Sequence, residues 1–224
     1  MTSALTRKKY IVFFDIDETV IRINSSTVII KAAYKIGLIS TLKLLNAINL
    51  VILYKLKLKD PKKIIEQIGS WIMGINVDEF NKMMSDILDQ FIIKEIRPEI
   101  IAEIKHHKEQ NAELVILSSA IKEVCNPLAT HLGIDHVLCS ELETQKGQFT
   151  GKTIGNFCFG KEKLVQLNKY CSLKGYNIEE TFYYGDSIAD LPVLEKVGFP
   201  ICVTPDKALL KIASVKGWTI KQWC

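Results

Sequence analysis

The chain has no C-x-x-C pair, although it carries six cysteines, at positions 125, 139, 158, 171, 202 and 224. That absence excludes the common zinc-ribbon and thiol-redox patterns. The cysteines sit mostly inside apolar segments and read as reduced, buried thiols of a cytoplasmic protein. No uncharged run is long enough to span a bilayer: Leu44 to Tyr54 covers eleven residues and is broken by Asn46 and Asn49. The opening stretch from Met1 to Lys9 is positively charged but lacks the apolar centre of a signal peptide. There is no internal repeat and no low-complexity tract. A strong excess of either charge is also missing, since 29 Lys and Arg against 25 Asp and Glu leave a net balance of +4. A nucleic-acid binder would concentrate Arg and aromatics on one face, so no nucleic-acid partner is expected.

What is present is an ordinary globular balance, 48% hydrophobic and 24% charged over 224 residues. That length suits one domain carrying a smaller insertion. The chain is organised around Tyr10-Ile-Val-Phe-Phe-Asp15-Ile-Asp17-Glu-Thr19. Ile11 to Phe14 are apolar without alternation, the pattern of a strand buried on both faces in a parallel sheet. Asp15 follows at its carboxyl end, the edge where open α/β sheets bind ligands. Two acids there point to chemistry on a small charged substrate, although Asp side chains also cap turns.

From about residue 24 to 95 almost nothing reads as a strand. Ser25-Ser26-Thr27 can cap a helix that stops at Gly37, and an unusually apolar helix is expected from Leu38 to Leu58. Asp60-Pro61 starts a third helix, and Asn76-Val-Asp78 a fourth that ends near Phe91. Beyond it, helices are expected over Pro98 to Gln110, Lys122 to Leu132 and Gly160 to Tyr170. Strands are expected over Glu113 to Ser118, His136 to Cys139, Thr181 to Gly185 and Phe199 to Val203, with a hairpin around Gln145-Lys-Gly147-Gln. Strands alternating with helices imply an α/β fold with a doubly wound parallel sheet. His106 and His107 read as solvated residues on the polar end of their helix. Trp218 and Trp223 read as anchors of a final strand.

Three further features fall at strand ends or loop-helix junctions: Ser118 after Leu-Val-Ile-Leu, a lysine in Gly160-Lys161-Glu-Lys163-Leu, and Gly185-Asp186-Ser-Ile-Ala-Asp190. The order D-x-D-x-T, hydroxyl, lysine, G-D-S-x-x-D resembles the haloacid dehalogenase superfamily. The helical insertion resembles the cap of its branch containing phosphoserine phosphatase. The resemblance implies a catalytic core of residues 1–23 and 97–224, with a helical cap, 24–96, inserted after the first strand.

It further implies a Mg²⁺-dependent phosphatase working on a phosphate monoester of a small molecule or a phospholipid head group. Asp15 would be the nucleophile that forms an aspartyl-phosphate and Asp17 the general acid and base. Thr19, Ser118, Ser119 and either Lys161 or Lys163 would make up the phosphate-binding set. Asp15, Asp17 through its main-chain carbonyl, Asp186 and Asp190 would make up the metal site. Alternatives are transfer of the phosphoryl group to an alcohol and a non-enzymatic phospho-receiver module, which would be about half as long and lack a cap. Phosphoserine itself fits poorly. Asn24 stands where that enzyme type has a glutamate, no arginine occurs from 23 to 96, and Ser119 and Ala120 replace a glycine pair. Lys55, Lys57, Lys59, Lys62 and Lys63 follow the apolar cap helix, and a peripheral membrane contact through it is a further expectation.

Overall fold

The computed structural model describes residues 10–37, 39–42, 44–46, 49 and 72–223. Strand β1 (Ile11–Phe14) has all four side chains fully buried. Successive side chains of a strand point to opposite faces, so Val12 and Phe14 enter one apolar cluster while Ile11 and Phe13 enter another. Helix α1 (Ser25–Lys35) follows, and then α2 (Val77–Ile87), which continues through a π turn (Leu88–Ile92) and a 3₁₀ turn (Ile93–Glu95). The next elements are α3 (Pro98–Glu109), β2 (Glu113–Ile121), α4 (Lys122–Leu132) and β3 (His136–Ser140). A hairpin of β4 (Leu142–Gln145) and β5 (Gln148–Thr153) leads to α5 (Lys161–Lys174), β6 (Phe182–Gly185) and the short α6 (Leu191–Leu194). The last elements are β7 (Phe199–Val203), α7 (Lys207–Lys216) and β8 (Thr219–Lys221).

Six strands form one sheet in the order β3-β2-β1-β6-β7-β8, every neighbouring pair parallel. The fold is α/β, with the doubly wound parallel sheet expected from the sequence. Chain order reverses between β1 and β6, which opens a crevice outside their carboxyl ends. Trp218 and Trp223 flank β8, packing against different faces of the sheet.

Local details depart from the sequence reading in instructive ways. The α1 cap is Asn24, whose Oδ1 accepts from the Thr27 N–H at 3.1 Å, so Ser25 is already helical. The β4–β5 hairpin stands outside the main sheet and pairs instead with the segment before α2. Gly74 and Val77 donate to the Phe149 and Gly147 carbonyls, and the Phe80 and Phe149 rings meet edge to face at 5.0 Å. His107 is a correction. It is buried rather than solvated, with Nδ1 2.9 Å from the Tyr10 hydroxyl and Nε2 2.9 Å from that of Tyr184. Of this pair only His106 is exposed.

The expected helices at 38–58 and from Asp60 fall largely outside the described residues, as do the five lysines between 55 and 63. Among the described residues no helix is long and apolar enough to cross a membrane.

Candidate active site

Asp15 and Asp186 leave the adjacent strands β1 and β6 at the mouth of the crevice. The Asp15 N–H donates to the Tyr184 carbonyl at 3.0 Å, extending the strand pairing by one bond. The Asp186 carbonyl accepts from Asp206 N–H at 2.8 Å. Asp206 also caps α7 through Leu209 N–H and receives Ile188 N–H at 2.9 Å, so one side chain fixes the loop that carries Asp186. Asp15, Asp186 and Asp190 are all buried, and each offers a carboxylate oxygen within 4.8 Å of the others.

The lysine that meets them is Lys163. Helix α5 buries Lys163, Leu167 and Cys171 on one stripe, and this phase carries Lys163 into the sheet edge while Lys161 stays exposed in the first turn. The Lys163 ammonium lies 2.9 Å from Asp15 Oδ1 and 2.7 Å from Asp190 Oδ1. It also donates to the Tyr183 hydroxyl at 3.1 Å, which donates in turn to Asp190 Oδ1 at 2.7 Å. The remaining Asp190 oxygen receives Ser187 N–H at 3.4 Å and the Ser187 hydroxyl at 3.3 Å. With four donors around it, Asp190 is saturated by protein groups and acts as the anchor of Lys163. No local pattern marks Tyr183 as part of the site, because an aromatic in a buried strand reads as packing.

The other candidates surround this group. Thr19, fully buried, donates its hydroxyl to Asp186 Oδ1 at 3.2 Å. Asp17 stands outside the group of three carboxylates, and its Oδ1 accepts from Ser25 N–H at 2.9 Å at the start of α1. Ser118 is fully buried near the end of β2, beside Asp15, and its Oγ accepts from Ala120 N–H at 3.2 Å. Ser119 is half-buried on the opposite side of the strand.

Burial pushes the Asp15 carboxyl above its usual range, opposed by Lys163 and Ser118 and reinforced by Asp190. Burial also raises Asp17 to about 7, against the Ser25 hydrogen bond. Asp186 is raised to about 9 by burial, then by Asp190, Asp15 and Glu18. Burial works against charge on Lys163 too, yet Asp15, Asp190 and Tyr183 together hold its ammonium well above the normal lysine value. One ammonium thus faces three buried carboxyls. Asp15 Oδ1, although close to Lys163, is buried outside hydrogen-bond alignment with any partner. A hard divalent cation that prefers oxygen ligands fits this excess of acceptor and negative charge.

Comparison with known proteins agrees with this geometry. The family model of haloacid dehalogenase-like hydrolases matches residues 12–195. A Mycobacterium tuberculosis protein named "Probable phosphatase" is 27% identical over 217 residues, spanning 96% of this chain and 75% of its own length. A solved Bordetella pertussis Tohama I protein of unknown function superposes with a TM-score of 0.88 at 20% identity, covering 96% of this chain and 99% of that one. A phospho-aspartyl intermediate analogue of phosphoserine phosphatase does so with 0.73 at 19% identity, covering 96% and 95%. These two structural likenesses speak to the fold. The family match extends from β1 through Asp186 and Asp190, and the chain belongs to the haloacid dehalogenase-like hydrolases.

Proposed function

We propose that the protein is a Mg²⁺-dependent phosphatase that hydrolyses a phosphate monoester of a small molecule through an aspartyl-phosphate on Asp15. The observation that carries this reading is the buried Asp15 carboxylate at the carboxyl end of β1, whose Oδ1 lies 2.9 Å from the Lys163 ammonium and is held by no aligned hydrogen bond. Such an oxygen is available to attack phosphorus.

In the first step an Asp15 carboxylate oxygen bonds to phosphorus as the bond to the leaving oxygen breaks. Asp17, anchored through Oδ1 by Ser25, gives its proton to that oxygen. In the second step Asp17 takes a proton from water, the water oxygen bonds to phosphorus and the acyl-phosphate bond breaks. Lys163 and the Ser118 hydroxyl face the phosphoryl oxygens throughout, with Lys163 held in place by Asp190 and Tyr183. The metal's direct protein ligands would be Asp15, Asp186 and the Asp17 carbonyl, and when bound it supplies positive charge against the phosphoryl oxygens.

Residues 24–96 act as a cap over this site in our reading, since the bond between Ser25 and Asp17 ties their first helix to the acid. Phosphoserine is a poor candidate substrate. Asn24, at the place of the amine-binding glutamate, is engaged in capping α1, with its Oδ1 also accepting from the Thr27 hydroxyl at 3.2 Å. The cysteine usage supports a cytoplasmic location in this reading.

The test is phosphate release from a panel of phosphorylated metabolites, without added alcohol acceptor. Asp15→Asn is expected to abolish turnover while keeping the wild-type circular dichroism spectrum, and acid-quenched wild type is expected to carry one added phosphoryl group by mass. Substantial turnover by folded Asp15→Asn would remove the nucleophile assignment. Turnover only when an acceptor alcohol is supplied, with the phosphoryl group recovered on that alcohol and no free phosphate, would replace hydrolysis with transfer.

A further inference from the structure

The chain returns from residues 24–96 to the sheet through Arg97, the residue before Pro98 and one of only three arginines in the sequence. Its side chain is 5% exposed, an unusual place for a cation. One terminal nitrogen, Nη2, donates to the Glu18 carbonyl at 3.3 Å, and the other, Nη1, to the Trp223 carbonyl at 3.3 Å. Its main-chain N–H donates to the Val20 carbonyl at 3.0 Å. Arg97 therefore touches the turn that follows Asp15 at two points.

Glu18 lies between Asp17 and Thr19 and adopts a left-handed backbone, φ 59°. A non-glycine residue held there is strained and persists only where its surroundings fix it. The peptide after it carries Thr19, whose hydroxyl bonds Asp186, and the one before it joins Asp17. Rotation of the Glu18 carbonyl would move both neighbours.

The second arm leads back to the same place. The Trp223 carbonyl also accepts from the Thr204 hydroxyl at 3.2 Å, and its ring stacks on Tyr184 with centroids 6.4 Å apart. Tyr184 supplies the carbonyl that receives Asp15 N–H. A planar guanidinium can bridge two carbonyls in fixed directions, which an ammonium cannot do.

We propose that Arg97 is a positioning residue for the reaction. It locks the Glu18 carbonyl, and with it the turn bearing Asp17 and Thr19, between the return segment of residues 24–96 and the segment after β8. It acts through the placement of Asp17.

This rests on the phosphatase reading, and the experiment separates the two. Wild type, Arg97→Lys and Arg97→Ala are compared on p-nitrophenyl phosphate, whose leaving group needs no proton, and on an alkyl phosphate that the wild type turns over. Assays run well below each variant's melting temperature. The expected result for Arg97→Lys is a kcat about tenfold or more lower on the alkyl ester, a smaller loss on the nitrophenyl ester and KM within about twofold of wild type. Guanidinium at millimolar concentration is expected to restore part of the alkyl-ester rate in Arg97→Ala and none in Asp15→Asn. Equal losses on both esters, or a lowered melting temperature with unchanged kcat, would reduce Arg97 to a structural cation and overturn the proposal. Wild type inactive on every ester would instead sink the phosphatase reading.

Discussion

Tyr183 shows how one hydroxyl can set the geometry of a charged site. Lys163 is placed between Asp15 and Asp190, and its ammonium could swing toward either carboxylate. The Tyr183 hydroxyl receives a hydrogen bond from Lys163 and gives one to Asp190, closing a triangle that leaves the ammonium a single low-energy position. Gly185 is required by space at the same spot, since a Cβ there would come within 2.8 Å of Tyr183 Cε1 and 2.9 Å of Asp190 Oδ2. Tyr183→Phe keeps the ring and removes the hydroxyl. Its kcat is expected to fall about tenfold, equivalent to about 1.4 kcal/mol, with the thermal unfolding midpoint nearly unchanged. An unaltered kcat would show that Asp190 alone is enough to hold the lysine.

At the scale of elements, the legible and illegible parts of the sequence separate by whether a single period decides them. β1 and its two acids are plain because a short apolar run without alternation that stops on Asp15 and Asp17 fits a strand buried on both faces with its ligand edge at the end. The choice between Lys161 and Lys163 is not, because Leu164, Val165 and Leu167 give an apolar phase to either. The tie is broken by Cys171, which completes the buried stripe at 163, 167 and 171. His107 is hard to read for a related reason: the string Lys105-His-His-Lys108 looks polar, yet Ile100, Ile104 and His107 lie on one helical face, and that face is buried. The hairpin was visible at Lys146-Gly147, where both residues take positive φ, but its pairing with residues 74–77 is a long-range contact that no local pattern encodes. The passage from α6 to β7 was equally silent about Gly198. A Cβ there would lie 1.7 Å from the Glu179 carbonyl oxygen, a main-chain atom that cannot move aside. Gly198→Ala is therefore expected to cost at least about 3 kcal/mol, or to abolish soluble expression. A urea midpoint equal to wild type would show that the 178–181 turn shifts freely.

On the scale of the whole molecule, one apolar cluster runs from Val12, Phe14 and Ile116 in the sheet through Ile29 and Ala33 of α1 to Phe80, Met84 and Ile87 of α2. The inserted helices therefore share a core with one face of the sheet. Behind the same face a polar chain links three elements and the residue before β1: Tyr10 to His107 on α3, His107 to Tyr184 on β6, Tyr184 to Glu103 at 2.6 Å, and Glu103 to Lys221 on β8. Burial lowers the His107 imidazole from 6.5 to about 4, with Lys221 and His106 acting in the same direction and Glu103 opposing. An imidazole whose pKa is lowered on folding binds protons more readily in the unfolded chain. The stability it contributes is full above about pH 6.5 and is lost as pH falls toward about 4. The raised carboxyls of the site act with the opposite sign over part of this range, since protonation favours their folded form. Glu103 and Glu113, held below their usual value despite partial burial, weaken the fold only in stronger acid. The informative quantity is thus the difference in urea stability between wild type and His107→Gln, which share every carboxyl. That difference is expected to be largest at about pH 7 and to shrink steadily down to about pH 4.5, as the wild type loses the advantage of a neutral, doubly bonded imidazole. A difference that stays constant across the window would mean that His107 does not titrate between the folded and unfolded states, and that glutamine fails there for reasons of shape alone.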